Sequence, residues 1–135
     1  MKRSELRIDH CILDIEKYAS LILEYVNDMT KEEFLADIKT LQAVTLNLIY
    51  LGEISTVLKN DYPKFLEQAS KIEWKQIAGM RHQLVHGYFN IKEDLVWMAT
   101  QEHIPNLLNQ IPYLKEVAQK YLMQSQELPE SKSEI

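Results

Sequence analysis

The stretch from Val44 to Ile54 constrains the fold of this chain more than any other. Val44, Leu46, Leu48, Ile49, Tyr50, Leu51 and Ile54 leave few polar positions on any face. A helix that is apolar nearly all round has to be covered on most sides. In a chain of 135 residues, part of that cover is expected to come from a second subunit. The helical pattern that contains this stretch runs from about 31 to 59. Thr30-Lys31-Glu32-Glu33 fits a capping box at its start, with Thr30 as N-cap and Glu33 reaching back. A kink is expected near Asp37.

The rest of the chain reads as further helices. Ile8, Ile12, Ile15, Ala19, Ile22 and Val26 recur at steps of three and four, which predicts a first helix over 8–27. Cys11 borders that apolar stripe and reads as a small buried hydrophobe. Asn60-Asp61-Tyr62-Pro63 is a stop, since Pro63 biases Tyr62 away from helical geometry. A short helix over 63–69 and another from Trp74 to His86 follow, with Gly87 placed to cap the latter. A last helical pattern covers 91–121, and Pro105 and Pro112 should kink or break it. Every Pro lies beyond residue 60 and there are only three Gly, so long helices are easy to build and a turn-rich β-sandwich is not. The expected architecture is all-α: an up-down bundle of four or five helices, one domain over 1–122 and a polar, frayed tail over 123–135.

Charge narrows the function classes. The net charge of −5 argues against a broad surface that coats nucleic acid, which needs many Lys and Arg to displace counterions. A small local cleft stays open, and a dimer can concentrate a few cations in one place. Cys11 has no partner for an internal disulfide, which fits a reducing cytoplasm. The charged first residues and the lack of a long apolar run predict neither a signal peptide nor a membrane span. His10 and His103 stand apart from other donors, so no metal site is expected. Trp74 and Trp97 read as core or interface anchors. Ser55 has no nucleophile-elbow context, and glycine-rich phosphate loops are absent.

Arg81 and His86 are the candidates for chemistry. Arg offers planar donors matched to phosphate oxygens, and His moves a proton near neutral pH. Together they suit RNA cleavage in which the substrate's own 2′-hydroxyl attacks phosphorus, with Arg stabilising charge and His as general base or acid. No metal is needed for that chemistry. On a regular helix, however, five steps of 100° put the two about 140° apart. A joint site requires either that the helix end at His86 and swing it round, or that a second copy bring its own pair close. Gly52, in the middle of a helix, points to a close packing contact. Glu53 beside it is a candidate to reach and orient Arg81, the alternative being an unrelated polar contact.

The segment Trp74-Lys75-Gln76-Ile77-Ala78-Gly79-Met80-Arg81-His82-Gln83-Leu84-Val85-His86-Gly87-Tyr88-Phe89 resembles the signature of HepT-like HEPN proteins: Arg, four residues, His, one residue, Tyr. Phe34-Leu35-Ala36-Asp37, Asn47-Leu48 and Leu51-Gly52-Glu53 resemble that family's second helix, and Val96-Trp97 and Ile104-Pro105 its last helices. The resemblance covers roughly residues 5–120. It implies the toxin of a type VII toxin–antitoxin pair: a HEPN-type helical bundle that forms a homodimer, with both Arg/His sets lining one cleft that cuts RNA. The partner it implies is a minimal nucleotidyltransferase of MNT type, which neutralises the toxin by binding and by AMP transfer to the motif tyrosine. Position by position, Arg81 and His86 become the catalytic pair and Tyr88 the modified residue. No cofactor is implied. The residue after the motif Arg is often Asn in the family and is His82 here, so His82 either assists or merely substitutes. The alternative reading is a non-catalytic HEPN module whose cleft binds nucleotide or RNA, or whose helices scaffold a nucleotidyltransferase.

Overall fold

The computed structural model describes residues 3–87 and 92–127, and all regular structure among them is helical. In chain order the helices are α1 (Arg3–Tyr25), α2 (Lys31–Ala36), α3 (Ile38–Asp61), α4 (Pro63–Gln68), α5 (Trp74–His86) and α6 (Glu93–Met98). A wide turn (Ala99–His103) then leads into α7 (Ile104–Asn109) and α8 (Ile111–Glu127). The all-α bundle expected from the periodicity is what the chain forms.

Helix α3 runs between α1 and α5, and α1 also packs on α7 and α8. The expected stripe on α1 is the one it buries: Ile8, Ile12, Ile15, Ala19 and Ile22 are at most 3% exposed and Val26 is 6%. Each such large side chain contributes about 1.5–3 kcal/mol through burial. Cys11 is buried beside them. By length and composition α3 could cross a membrane, yet half of its apolar window is buried inside the molecule. Covered by α1 on one side and α5 on another, it needs little amphipathicity.

The capping box forms as expected. Thr30 N–H donates to Glu33 Oε1 at 2.8 Å, and Glu33 N–H donates to Thr30 Oγ1 at 3.1 Å. The expected kink at Asp37 is a full break. The Asp37 carboxylate accepts from the Thr40 N–H at 3.0 Å and from the Thr40 hydroxyl at 2.8 Å, and so starts a new helix. The stop at Tyr62 holds too, with Pro63 opening α4. Phe34 of α2 packs on Trp97 of α6, ring centroids 5.2 Å apart.

The last helical pattern divides at its prolines. Pro105 cannot donate to the carbonyl of Gln101. The preceding turn widens instead, and Ile104 N–H reaches the Ala99 carbonyl five residues back. Pro112 lies in the first turn of α8, where a missing N–H costs nothing. Helix α8 continues to Glu127, past the 122/123 boundary that polarity suggested. Gln124, expected to fray, accepts a hydrogen bond from Gln68 of α4 at 3.1 Å.

Candidate functional site

Arg81 owes its position to a missing side chain. Gly52 is buried where α3 and α5 cross. A Cβ there would run into Arg81 Cβ and lie 2.7 Å from Arg81 Cγ and 3.3 Å from the Ile77 carbonyl oxygen. With only hydrogen at Gly52, the Arg81 stem lies directly across the α3 backbone. Its guanidinium then meets the next residue of α3. Arg81 Nε donates to Glu53 Oε1, and Nη2 is ion-paired to the same oxygen. Glu53 therefore does reach Arg81. The side chains are 31% and 48% exposed, so the pair adds about 1 kcal/mol or less to stability. Its consequence is direction: one acceptor holding two donors fixes the plane of the guanidinium.

The start of α5 is anchored from the opposite end of the fold. Trp74 Nε1 donates to the Ala69 carbonyl at 3.0 Å. Lys71 N–H donates to Tyr113 Oη at 3.2 Å, and Gln110 Nε2 donates to the Lys71 carbonyl at 3.0 Å. The connection from α4 to α5 is thus tied to Gln110, between α7 and α8, and to Tyr113 of α8.

His82 and His86 stand one turn apart on the exposed face of α5. Their ring centroids are 4.4 Å apart and their planes inclined by 50°. Helix α5 stays regular through His86. Gly87 caps it at φ −107°, its N–H donating to the Gln83 carbonyl. This ending does not swing His86 toward Arg81, so the first of the two routes to a joint site is not taken. One protomer joins Arg81 to Glu53 and His86 to His82, and leaves the two groups on different faces of α5. The i, i+4 pairing of the two histidines was readable from their spacing. Tyr88 lies outside the described residues.

The surface beside the Arg81–Glu53 pair is partly apolar. Leu46, Tyr50 and Glu53 follow one another on α3 at steps of four and three, which puts them on one face. Leu46 is 47% exposed and Tyr50 40%. Tyr50 is steadied by Tyr18 of α1, ring centroids 5.0 Å apart. His10 lies 3.5 Å from Asp14 on its own helix. Among the described residues, no group of three or more His, Cys, Asp or Glu is placed to hold a metal ion.

A family model described as ribonuclease HepT-like matches residues 15–114, a span that contains Glu53, Arg81, His82 and His86. The chain belongs to the HepT-like ribonuclease family. Among its relatives, a protein of Thermococcus cleftensis named "Probable ribonuclease HepT" is 33% identical over 102 residues, covering 76% of this chain and 90% of that one. A protein of Caldanaerobacter subterraneus subsp. tengcongensis named "Putative RNase" is 32% identical over 120 residues, covering 89% and 98%. A like-named protein of Methanocaldococcus jannaschii is 34% identical over 100 residues, covering 74% and 80%. No solved structure matches the chain significantly. Ribonuclease is thus the activity by which the family and these HepT-like relatives are described.

Proposed function

We propose that this chain is the toxin of a toxin–antitoxin pair, a metal-independent endoribonuclease that works as a homodimer. The observation that carries the reading is the arrangement on α5: Arg81 is oriented by Glu53 while His86 is presented to solvent beside His82. Neither group completes a site within one protomer. A second copy docked along Leu46 and Tyr50 would cover two exposed apolar side chains next to Glu53. It would also bring a second Arg81/His86 set to the first, concentrating cations that the acidic chain otherwise lacks.

In such a cleft, Arg81 would hold the scissile phosphate and stabilise charge on its non-bridging oxygens as phosphorus becomes five-coordinate. The 2′-hydroxyl attacks, losing its proton, and the 5′-oxygen leaves, gaining one. His86 of each copy is the group that can take or give that proton. The product carries a 2′,3′-cyclic phosphate. The antitoxin would be a minimal nucleotidyltransferase that moves AMP from ATP to the Tyr88 hydroxyl with release of pyrophosphate. Two residues from His86, an added phosphate would repel the substrate's own phosphate.

The test is digestion of RNA in the presence of a chelator by the parent chain, Arg81→Ala and His86→Ala. The expected result is cyclic phosphate ends from the parent and loss of cleavage by about a hundredfold or more in each variant. Equal cleavage by the variants would overturn the mechanism. Co-expression with the antitoxin should add mass in steps of one AMP, abolished in Tyr88→Phe. The contact between Arg81 and Glu53 also favours a second reading, a binding module, because the carboxylate already occupies the guanidinium. That reading predicts RNA or partner binding without product in the same digestion.

A further inference from the structure

The antiparallel crossing of α3 and α5 opens a trough on the side of the Arg81–Glu53 pair away from Tyr50. It has a volume of about 660 Å³ and is walled by the last turns of α3, by α4 and by the first turns of α5. Thr56 lines it one turn beyond Glu53 on α3. Ala78 lines it one turn before Arg81 on α5. The trough therefore runs from next to the oriented guanidinium to the start of α5. Lys59 and Asn60 of α3 line it on one wall, and Lys75 and Trp74 of α5 on the other. Among the described residues neither ammonium is held in an ion pair. Glu67 on α4 is the single acidic residue among those lining it.

We infer that this trough seats the single-stranded RNA that flanks the cleaved phosphate. Its volume suits a ligand of about one or two nucleotides. Lys59 and Lys75 supply point charges for successive phosphates on either side of the strand. Asn60 and the lone pairs of the Thr56 hydroxyl, whose proton goes to the Gly52 carbonyl at 3.0 Å, offer hydrogen bonds to base edges or to a 2′-hydroxyl. The Trp74 ring, fixed through its Nε1 to the Ala69 carbonyl, is a rigid platform on which a base can stack. Single-stranded RNA is favoured over duplex because an A-form helix is too wide to enter a trough bounded by two packed helices.

This inference rests on the ribonuclease reading for its substrate, and its test is chosen to fail separately. Binding of a fluorescein-labelled 12-nucleotide single-stranded RNA is followed by anisotropy across a salt series in the His86→Ala background, where no cleavage disturbs the titration. Removing two phosphate contacts with Lys59→Gln/Lys75→Gln should lower the slope of log affinity against log salt by about 1.4, about a 25-fold loss at 0.1 M salt. Glu67→Gln should act in the opposite direction and tighten binding, a gain that a merely destabilised variant cannot imitate. Lys115→Gln/Lys120→Gln on α8, which makes the same change in net charge, serves as the control. The inference is overturned if the Lys59/Lys75 variant keeps the parent's affinity and slope, if the α8 control falls equally, or if the His86→Ala background binds no RNA. Failure of the ribonuclease reading shows elsewhere, as absence of product from the unaltered chain.

Discussion

At the scale of single residues, two glycines on neighbouring helices have opposite meanings. Gly52 is where Arg81 crosses the α3 backbone, and a methyl group there overlaps Arg81 Cβ and Cγ. Ala is the better helix former by about 1 kcal/mol, but overpacking at a tight crossing costs about 1–3 kcal/mol. Gly52→Ala is therefore expected to lower stability in urea unfolding, and to reduce RNA cleavage by displacing the guanidinium. A Cβ on Gly79 meets nothing within 4 Å, so Gly79→Ala should raise stability by up to about 1 kcal/mol in the same measurement. Glu53 separates orientation from stability. Glu53→Gln keeps an acceptor and removes the charge. It should change unfolding free energy by less than about 1 kcal/mol, yet lower kcat more than it raises KM. An equal loss in both stability and kcat would make Glu53 a structural residue only. Much at this scale was readable in advance. The rotation between Arg81 and His86 follows from helix geometry, and Gly52 in a helix announced a close approach. Whether Glu53 would reach Arg81 or make an unrelated polar contact was not readable, because that depends on how α5 is set against α3.

At the scale of elements, the break at Asp37 decides where α3 begins and so how far Gly52 lies along it. Hydrogen bonds from the backbone and side chain of Thr40 hold the Asp37 carboxyl below its ordinary pKa. A carboxyl depressed in this way stabilises the fold at pH values above its unfolded pKa, and the contribution is lost as the pH falls through the folded value. Asp37→Ala should lower Tm at neutral pH, and the gap from the parent should close as the pH drops below about 4. A gap that stays constant down to acid pH would mean that Asp37 acts only through helix propensity. The sequence showed α1 by the periodic stripe it buries and α3 by its apolar run, whereas α5 was marked by the stop at Pro63 before it and by Gly87 at its end. It showed Asp37 as a kink and not a break, since one Asp has a similar weight in either case until Thr40 is seen to donate to it twice. The wide turn at Ala99–His103 was marked only by Pro105. A proline says that a helix is interrupted, and the surrounding packing decides how. The trough between Lys59 and Lys75 left no local signal, because its two walls meet only through the antiparallel crossing.

At the scale of the whole molecule, the structure explains why so apolar a helix as α3 can exist in a chain this small. Half of its apolar window is buried, with α1 and α5 packed against it. Of its exposed large apolar side chains, Leu46 and Tyr50 lie near the candidate site while Ile38 lies at its first turn. On the proposed function, the open surface at Leu46 and Tyr50 and the separation of Arg81 from His86 are linked: a second copy that covered the one would complete the other. The direct measurement is sedimentation of the parent chain and of Leu46→Glu/Tyr50→Glu, with RNA cleavage per chain recorded on the same samples. The account predicts a parent dimer and a folded variant monomer, recognised by unchanged helical circular dichroism, whose cleavage per chain is lost. A monomer that cleaves RNA as fast as the parent would contradict it.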